Sequence, residues 1–508
     1  MTTEAHPDAP SPEHSLQLGA TSSTPVRAEV VDGGVGRVRE GVGKILSVTG
    51  YVVVFGVTNL ALLIIAPEGL PFLRLLFASA LLWVATWPFF HFMRNRLREI
   101  PIVPAISILY FLYFGLPVFT GSVLVRMRTY EAEEVTTAVA LTLAGLVLLQ
   151  VAFYSPIGKV IDLVPNLSLK FDLERLAWYF AVMAIAGIAA SAAIISSSRD
   201  LAPAYRAVAN IVIRIPLLML SGLFLLHLRG KLSLPLRVVG VLTSLAYLLL
   251  SLATGALAPV ASALAPFFFI YMAERSRLPW RAGVLCFLLA MPFLASKSEF
   301  RQELRRSPIG PVDRITLFLG ITYEQVATQG HRYAEVASKT TSERTSYLGT
   351  FAYVVNQTPR RVPYLVGDTY TVALWSFVPR VFAPERPAQS LGQDFGHRYR
   401  LLNPTDHATS FNCAQIIEMY MNFGPTGVLV GMFLVGLYYR ALYALFNHDE
   451  GGDGMLLIAA TAMTGLLNIE SDAANVLVGG FQGSLFFYVL FGALMFAVNN
   501  LLIVRPEE

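Results

Sequence analysis

The chain has 508 residues, 55% of them hydrophobic and 14% charged, with a mean hydropathy of +0.57. Soluble globular chains carry about a quarter charged residues, so this composition excludes an ordinary water-soluble enzyme and describes a membrane protein. The formal net charge of +4 says little as a sum, because its distribution along the chain carries the information.

In chain order, residues 1–44 are rich in Pro, Ser, Thr, Glu and Gly and bury too little apolar surface to order themselves, so they are expected to form a disordered cytoplasmic tail. A span needs roughly 20 apolar residues to cross a ~30 Å hydrocarbon core. On that criterion residues 45–295 hold nine spans: Ile45–Ala66, Leu70–Met93, Ile100–Thr120, Val135–Tyr154, Leu176–Ser196, Val208–Leu228, Val238–Leu252, Leu257–Ala273 and Ala282–Ala295. Residues 296–413 form a polar, arginine-rich insert. Residues 414–508 return to the membrane with Ile416–Phe446, Met455–Leu467 and Val476–Val504, the first expected to begin as an outer amphipathic helix and then cross. The expected fold is an all-α polytopic membrane protein with about 12 transmembrane helices and one large periplasmic insert of mixed helix and loop.

Orientation follows from where Lys and Arg collect in the short connections. Arg37, Arg39 and Lys44 precede the first span, Arg94, Arg96 and Arg98 follow the second, and Lys159, Lys170 and Arg175 follow the fourth. Arg229, Lys231 and Arg237 follow the sixth, and Arg275, Arg277 and Arg281 the eighth. The alternation puts both termini in the cytoplasm and the insert outside. The last turnaround, 468–475, carries Glu470 and Asp472 and no basic residue.

Several basic residues break this pattern. Arg74 sits about one turn into the second span and Arg214 inside the sixth, with Arg206, Arg126 and Arg128 at the same membrane face. A charge inside a span costs at least ~2.5–3.5 kcal/mol on insertion scales, so each is a functional candidate. The guanidinium fork binds phosphate oxygens bidentately and stays charged at physiological pH. In a helix leaving the ninth span, Lys297, Arg301 and Arg305 share one face four residues apart, beside a second stripe of Glu299 and Glu303. Arg344, Arg360, Arg361 and Arg380 extend the basic set. Such a lining suits a lipid carrying a phosphate or pyrophosphate.

The sequence shows no phosphate-cradling glycine-lysine loop, paired-histidine zinc helix, serine elbow, cysteine-pair metal spacing or Asp-x-Asp pair, so neither metal nor cofactor is expected. Two cysteines, Cys286 and Cys413, make no disulfide framework. The groups fit for proton transfer are Asp394, His397, Asp406, His407 and Glu418. Glu418 stands out because it lies in an apolar helix start, Gln-Ile-Ile-Glu-Met-Tyr-Met; Glu418 and His397 are the candidate catalytic bases. Among the insert's aromatics, Tyr370 is a candidate for stacking on a sugar face.

Residues 297–439 resemble the Wzy-type polymerases of bacterial O-antigen and exopolysaccharide repeat units. The resemblance is carried by Pro-Arg-Arg-Val-Pro-Tyr-Leu-Val-Gly-Asp-Thr-Tyr at 359–370, Phe-Val-Pro-Arg at 377–380, Glu-Met-Tyr-Met-Asn-Phe-Gly-Pro-Thr-Gly at 418–427, and Gly431 and Gly436 beyond. It implies transfer of glycan from one undecaprenyl pyrophosphate to a repeat unit on another, at the outer face of the bacterial inner membrane, with arginines on the pyrophosphates and neither metal nor nucleotide sugar. The partners expected are the lipid-linked oligosaccharide and membrane lipids, with a chain-length regulator left open and no nucleic acid. An O-antigen ligase and a flippase of the same lipid-linked sugar are the rival readings.

Overall fold

The structure, a computed structural model, describes residues 47–95, 99–121, 132–159, 167–170, 172–197, 212–254, 257–306, 309–330, 333, 346–376, 391–406, 409–447 and 451–497. The tail expected over 1–44 lies outside them.

The described residues form helices and connections, without a strand. In hydrocarbon every backbone N–H and C=O needs an internal partner, and a helix supplies one within its own segment. The first eight helices are α1 (Val48–Ile65), α2 (Phe72–Asn95), α3 (Ile102–Thr120), α4 (Ala132–Tyr154), α5 (Leu173–Ser197), α6 (Ile215–Leu228), α7 (Leu234–Leu252) and α8 (Leu257–Arg275). The insert region adds α9 (Trp280–Arg306), α10 (Pro311–Gln329), α11 (Leu348–Gln357), α12 (Asp368–Ser376) and α13 (Leu391–Arg398). The chain ends in α14 (Gln415–Phe446), α15 (Gly452–Leu466) and α16 (Gly479–Ala497), which a π-helical turn, Ala474–Val478, precedes.

Among the described residues eight helices are long and apolar enough to cross a membrane, and α6, α15 and the apolar start of α9 are shorter. Side chains such as Val57 and Ile64 on α1 and Val241 on α7 are largely exposed on the bare protein, as lipid-facing residues are. The ninth expected span and the start of the insert prove to be one helix. α9 runs straight into the polar stretch, and α10 turns back along it, with Phe318 on Phe300 and Gln325 near Ser296.

α14 departs from the long helix expected over Ile416–Phe446. Phe423 (φ −138°, ψ 16°) and Gly424 (φ 62°, ψ −149°) break it into two arms, 415–422 and 425–446. The arms lie antiparallel. A Cβ on Gly427 would stand 2.3 Å from the Met419 carbonyl oxygen, and one on Gly431 would stand 2.6 Å from Met419 Sδ, contacts a straight helix cannot make. The short arm is not an amphipathic surface helix, because every residue from Gln415 to Asn422 is buried. The long arm runs parallel to α4, with Val428 and Met432 against Gly145 and Tyr443 against Phe153. Pro425 opens the second arm, where its missing N–H leaves nothing unsatisfied.

The bundle has two distinct ends. At one, Arg229 bonds Asp453 at 2.7 Å and Glu274 at 2.7 Å, tying α6, α15 and α8 together, and Lys231 pairs with Glu174 at 2.5 Å. At the other, the insert folds down on the bundle. Tyr347 N donates to Tyr113 O of α3 (3.1 Å), and Asn356 Nδ2 to Glu134 Oε1 of α4 (2.9 Å).

Gly424 sits in backbone territory that is essentially glycine's alone, and a Cβ there would also meet Tyr364 Oη at 2.6 Å. Gly424→Ala is expected to lower stability by about 1–3 kcal/mol. Gly465→Ala, a helical position with open space around its Cβ, is the control expected to cost nothing. Thermal unfolding of the two variants in detergent compares them; equal melting would mean that the reversal at Gly424 is absent.

Candidate functional site

The short arm of α14 ends in carbonyls that no further helical turn can satisfy. Two of them are taken by the insert: Leu365 N donates to Met421 O (3.0 Å) and Val366 N to Asn422 O (3.2 Å). Asn422, fully buried, completes the join. Its Oδ1 accepts from Gly367 N at 2.9 Å, and its Nδ2 donates to Thr369 Oγ1 at 2.8 Å and to Glu418 O at 2.9 Å. These bonds hold Val366 at φ 49°, an unfavourable conformation for a β-branched residue, and start α12 at Asp368.

The same arm carries Glu418, 1% exposed. Burying a carboxyl is costly unless it is hydrogen-bonded. Its Oε2 accepts from Ala473 N at 2.7 Å, at the start of the π-helical turn, and the Thr369 hydroxyl bonds the same carboxyl. Asp472, next to Ala473, is held at both oxygens by Asn475, through its backbone N at 2.9 Å and Nδ2 at 2.7 Å.

Glu418, Asp472, Asp368, Thr369, Asp394 and Arg398 line a chamber of about 260 Å³ between α12, α13, the short arm and the π-helical turn. Leu365, Val372, Leu391, Phe395, Met421 and Ala474 make up its apolar wall. Arg398 is anchored from outside, donating from Nη2 to Pro363 O at 2.8 Å. Four carboxyl side chains and one guanidinium side chain are among its lining residues, a set rich in partners for hydroxyl groups. Among the described residues no group of three or more His, Cys, Asp or Glu side chains is placed to hold a metal ion.

Two tyrosines of the insert are half-buried or buried, Tyr370 beside the chamber and Tyr347 against Glu470. Burial, and after it Glu418, push the Tyr370 phenol above its ordinary range. Burial first and Glu470 second do the same to Tyr347, which stays protonated and donates to Glu470 Oε2 at 2.5 Å while accepting from Asn412 Nδ2 at 3.2 Å.

The expected site residues divide by place. Glu418 lines the chamber, and Tyr370 lies just outside it. His397, half-buried on α13, is next to Arg398 in sequence but does not line the chamber. Arg74 is buried with Nε 3.4 Å from Thr136 Oγ1, and the exposed Arg360 pairs at 3.5 Å with Glu134, so both gather at the start of α4. Arg361 is exposed beside it, Arg301 is exposed on α9, and Arg214 is exposed at the start of α6 near Gly483. Lys297 and Arg305 hold positions on α9 with side chains outside the described set; Arg344 and Arg380 lie outside the described residues, as do Arg206, Arg126, Arg128 and His407. Arg398, Asp368, Thr369 and Asp472 were not singled out. Their signal in the sequence is weak, since Asp368 and Thr369 lie within the 359–370 stretch and Asp472 in an acidic turnaround 54 residues beyond Glu418.

Asn422→Leu is expected to lower stability by about 1–3 kcal/mol, because it strands the Gly367 N–H at the join. Denaturant or thermal unfolding reads the change. Wild-type stability in that variant would mean that Asn422 does not hold the join.

A family model described as a domain of unknown function (DUF8712) matches residues 324–453. That stretch contains the short arm, the join and every chamber residue except Asp472 and Ala474. No curated protein and no solved structure matches the chain.

Proposed function

We propose that this protein is a membrane glycan polymerase, joining oligosaccharide repeat units carried on undecaprenyl pyrophosphate at the end of the bundle where the insert folds. The observation that carries the reading is the buried Glu418 carboxyl, fixed by the Ala473 amide, in a chamber whose remaining polar groups suit sugar hydroxyls. A positioned carboxylate of this kind is fit to act as a general base.

In the proposed reaction an acceptor sugar hydroxyl gives its proton to Glu418, and its oxygen forms a bond to the anomeric carbon of the donor glycan. The bond from that carbon to the pyrophosphate oxygen breaks, and undecaprenyl pyrophosphate leaves with the electron pair. Asp368, Asp394 and Asp472 accept hydrogen bonds from neighbouring sugar hydroxyls. Arg398 is the cation within the chamber lining, and Arg360 and Arg361 stand on the connection after α11. Guanidinium groups suit the charge growing on a departing pyrophosphate.

The wider frame belongs to the same proposal. The shorter apolar helices α6, α9 and α15, together with α8, join the eight long ones to give about twelve crossings. The end bearing Arg229 and Lys231 faces the cytoplasm, and the insert faces the periplasm of a bacterial inner membrane.

The test uses the full-length protein in lipid nanodiscs with a lipid-linked repeat unit as both donor and acceptor, reading product length on a gel. Glu418→Gln is expected to slow transfer by at least ~10²-fold with unfolding temperature unchanged. Undiminished transfer by that variant would remove Glu418 from the chemistry.

A further inference from the structure

Beside the chamber runs a second space, an apolar groove of about 820 Å³. The long arm of α14 forms its floor, and α12 and the π-helical turn with α16 form its sides. Three elements serve both spaces through consecutive residues. Thr369 faces the chamber and Tyr370 the groove; Glu418 faces the chamber and Met419 the groove; Ala474 faces the chamber and Ala473 the groove. At these three places the partition is one residue thick.

The groove's floor and one wall belong to helices long and apolar enough to cross a membrane. Its apolar lining suits hydrocarbon, and its size is that of a ligand pocket rather than a packing gap. The rings of Tyr370 and Phe423 lie nearly parallel, 6.3 Å apart, and both line it.

We propose that this groove holds the lipid chain of the donor and not that of the acceptor. The assignment rests on reading the chamber as the transfer site, and it follows from where each lipid must begin. The donor's reacting carbon is bonded directly to the pyrophosphate, whose far phosphate esterifies the isoprenoid. Its lipid therefore starts two phosphates away from the carbon that Glu418 serves. The acceptor's reacting hydroxyl is separated from its own lipid by the whole repeat unit. A hydrocarbon site one residue from Glu418 is within reach of the first chain and not of the second.

Donors and acceptors are prepared separately with full-length or farnesyl chains and given to the full-length protein in nanodiscs. A farnesyl donor is expected to raise the donor KM at least ~10-fold, because burial of the missing hydrocarbon is lost. A farnesyl acceptor is expected to leave the acceptor KM unchanged. Leu434→Trp, which fills the groove from an exposed position, is expected to raise the KM of the full-length donor alone. In a second measurement, a photoreactive farnesyl pyrophosphate is expected to label the 368–376, 415–446 or 473–497 peptides of the same protein. Equal sensitivity to the acceptor's chain, or label confined to other peptides, would overturn the assignment. Label in the groove without glycan transfer by the unaltered protein would overturn the donor assignment together with the polymerase reading, whereas transfer without that label would overturn the assignment alone.

Discussion

The site depends on how one buried chain reversal satisfies its backbone. At Phe423–Gly424 a helix that runs through the protein interior stops and a membrane-length helix begins in the opposite direction. Away from water, carbonyls left open at such a break would each cost several kcal/mol. The insert meets this cost with the amides of Leu365 and Val366, and Asn422 fastens Gly367 and Thr369 to the same point. Without that join the short arm has no reason to stay buried, and Glu418 would not face the chamber.

From the reversal the geometry of the site follows in sequence. Docking of 365–369 on the end of the short arm starts α12 beside it, and α12 supplies Asp368 and Thr369 to one space and Tyr370 to the other. The Ala473 amide that satisfies Glu418 also fixes where the π-helical turn meets the short arm. A polar chamber and an apolar groove thus share a thin wall. The opposite end of the bundle is closed differently, by Arg229, which bonds Asp453 bidentately and Glu274 with the same guanidinium and so ties three helices in one partly exposed network.

Much of the helical frame was legible, for a simple reason: apolar runs near twenty residues have few other solutions in a membrane. The eight long apolar helices fall on the stretches read as spans, while α6, α15 and the apolar part of α9 are too short to settle the count by length. Glu418 was legible too, as a carboxylate within an apolar run. The reversal was not read, although Asn-Phe-Gly-Pro at 422–425 carries both a helix breaker and a glycine able to take positive φ. The largely apolar stretch Ile416–Phe446 also fits one long helix with an amphipathic start, and only tertiary contact with residues 364–369 decides between them. The arginines illustrate the same limit. Spacing along the chain brought Arg74 and Arg214 forward, yet the guanidinium in the chamber lining is that of Arg398, whose position depends on how α13 folds against the join. Asp472 lies on a segment far removed in sequence, and no local pattern pairs it with Glu418.

The most direct measurement of the central claim is the glycan profile of a deletion strain, resolved as a gel ladder of lipid-linked and surface polysaccharide. Transfer at the chamber predicts single repeat units on the carrier or at the surface, with the polymer ladder gone. Repeat units trapped at the cytoplasmic face, or a normal ladder, would contradict a polymerase.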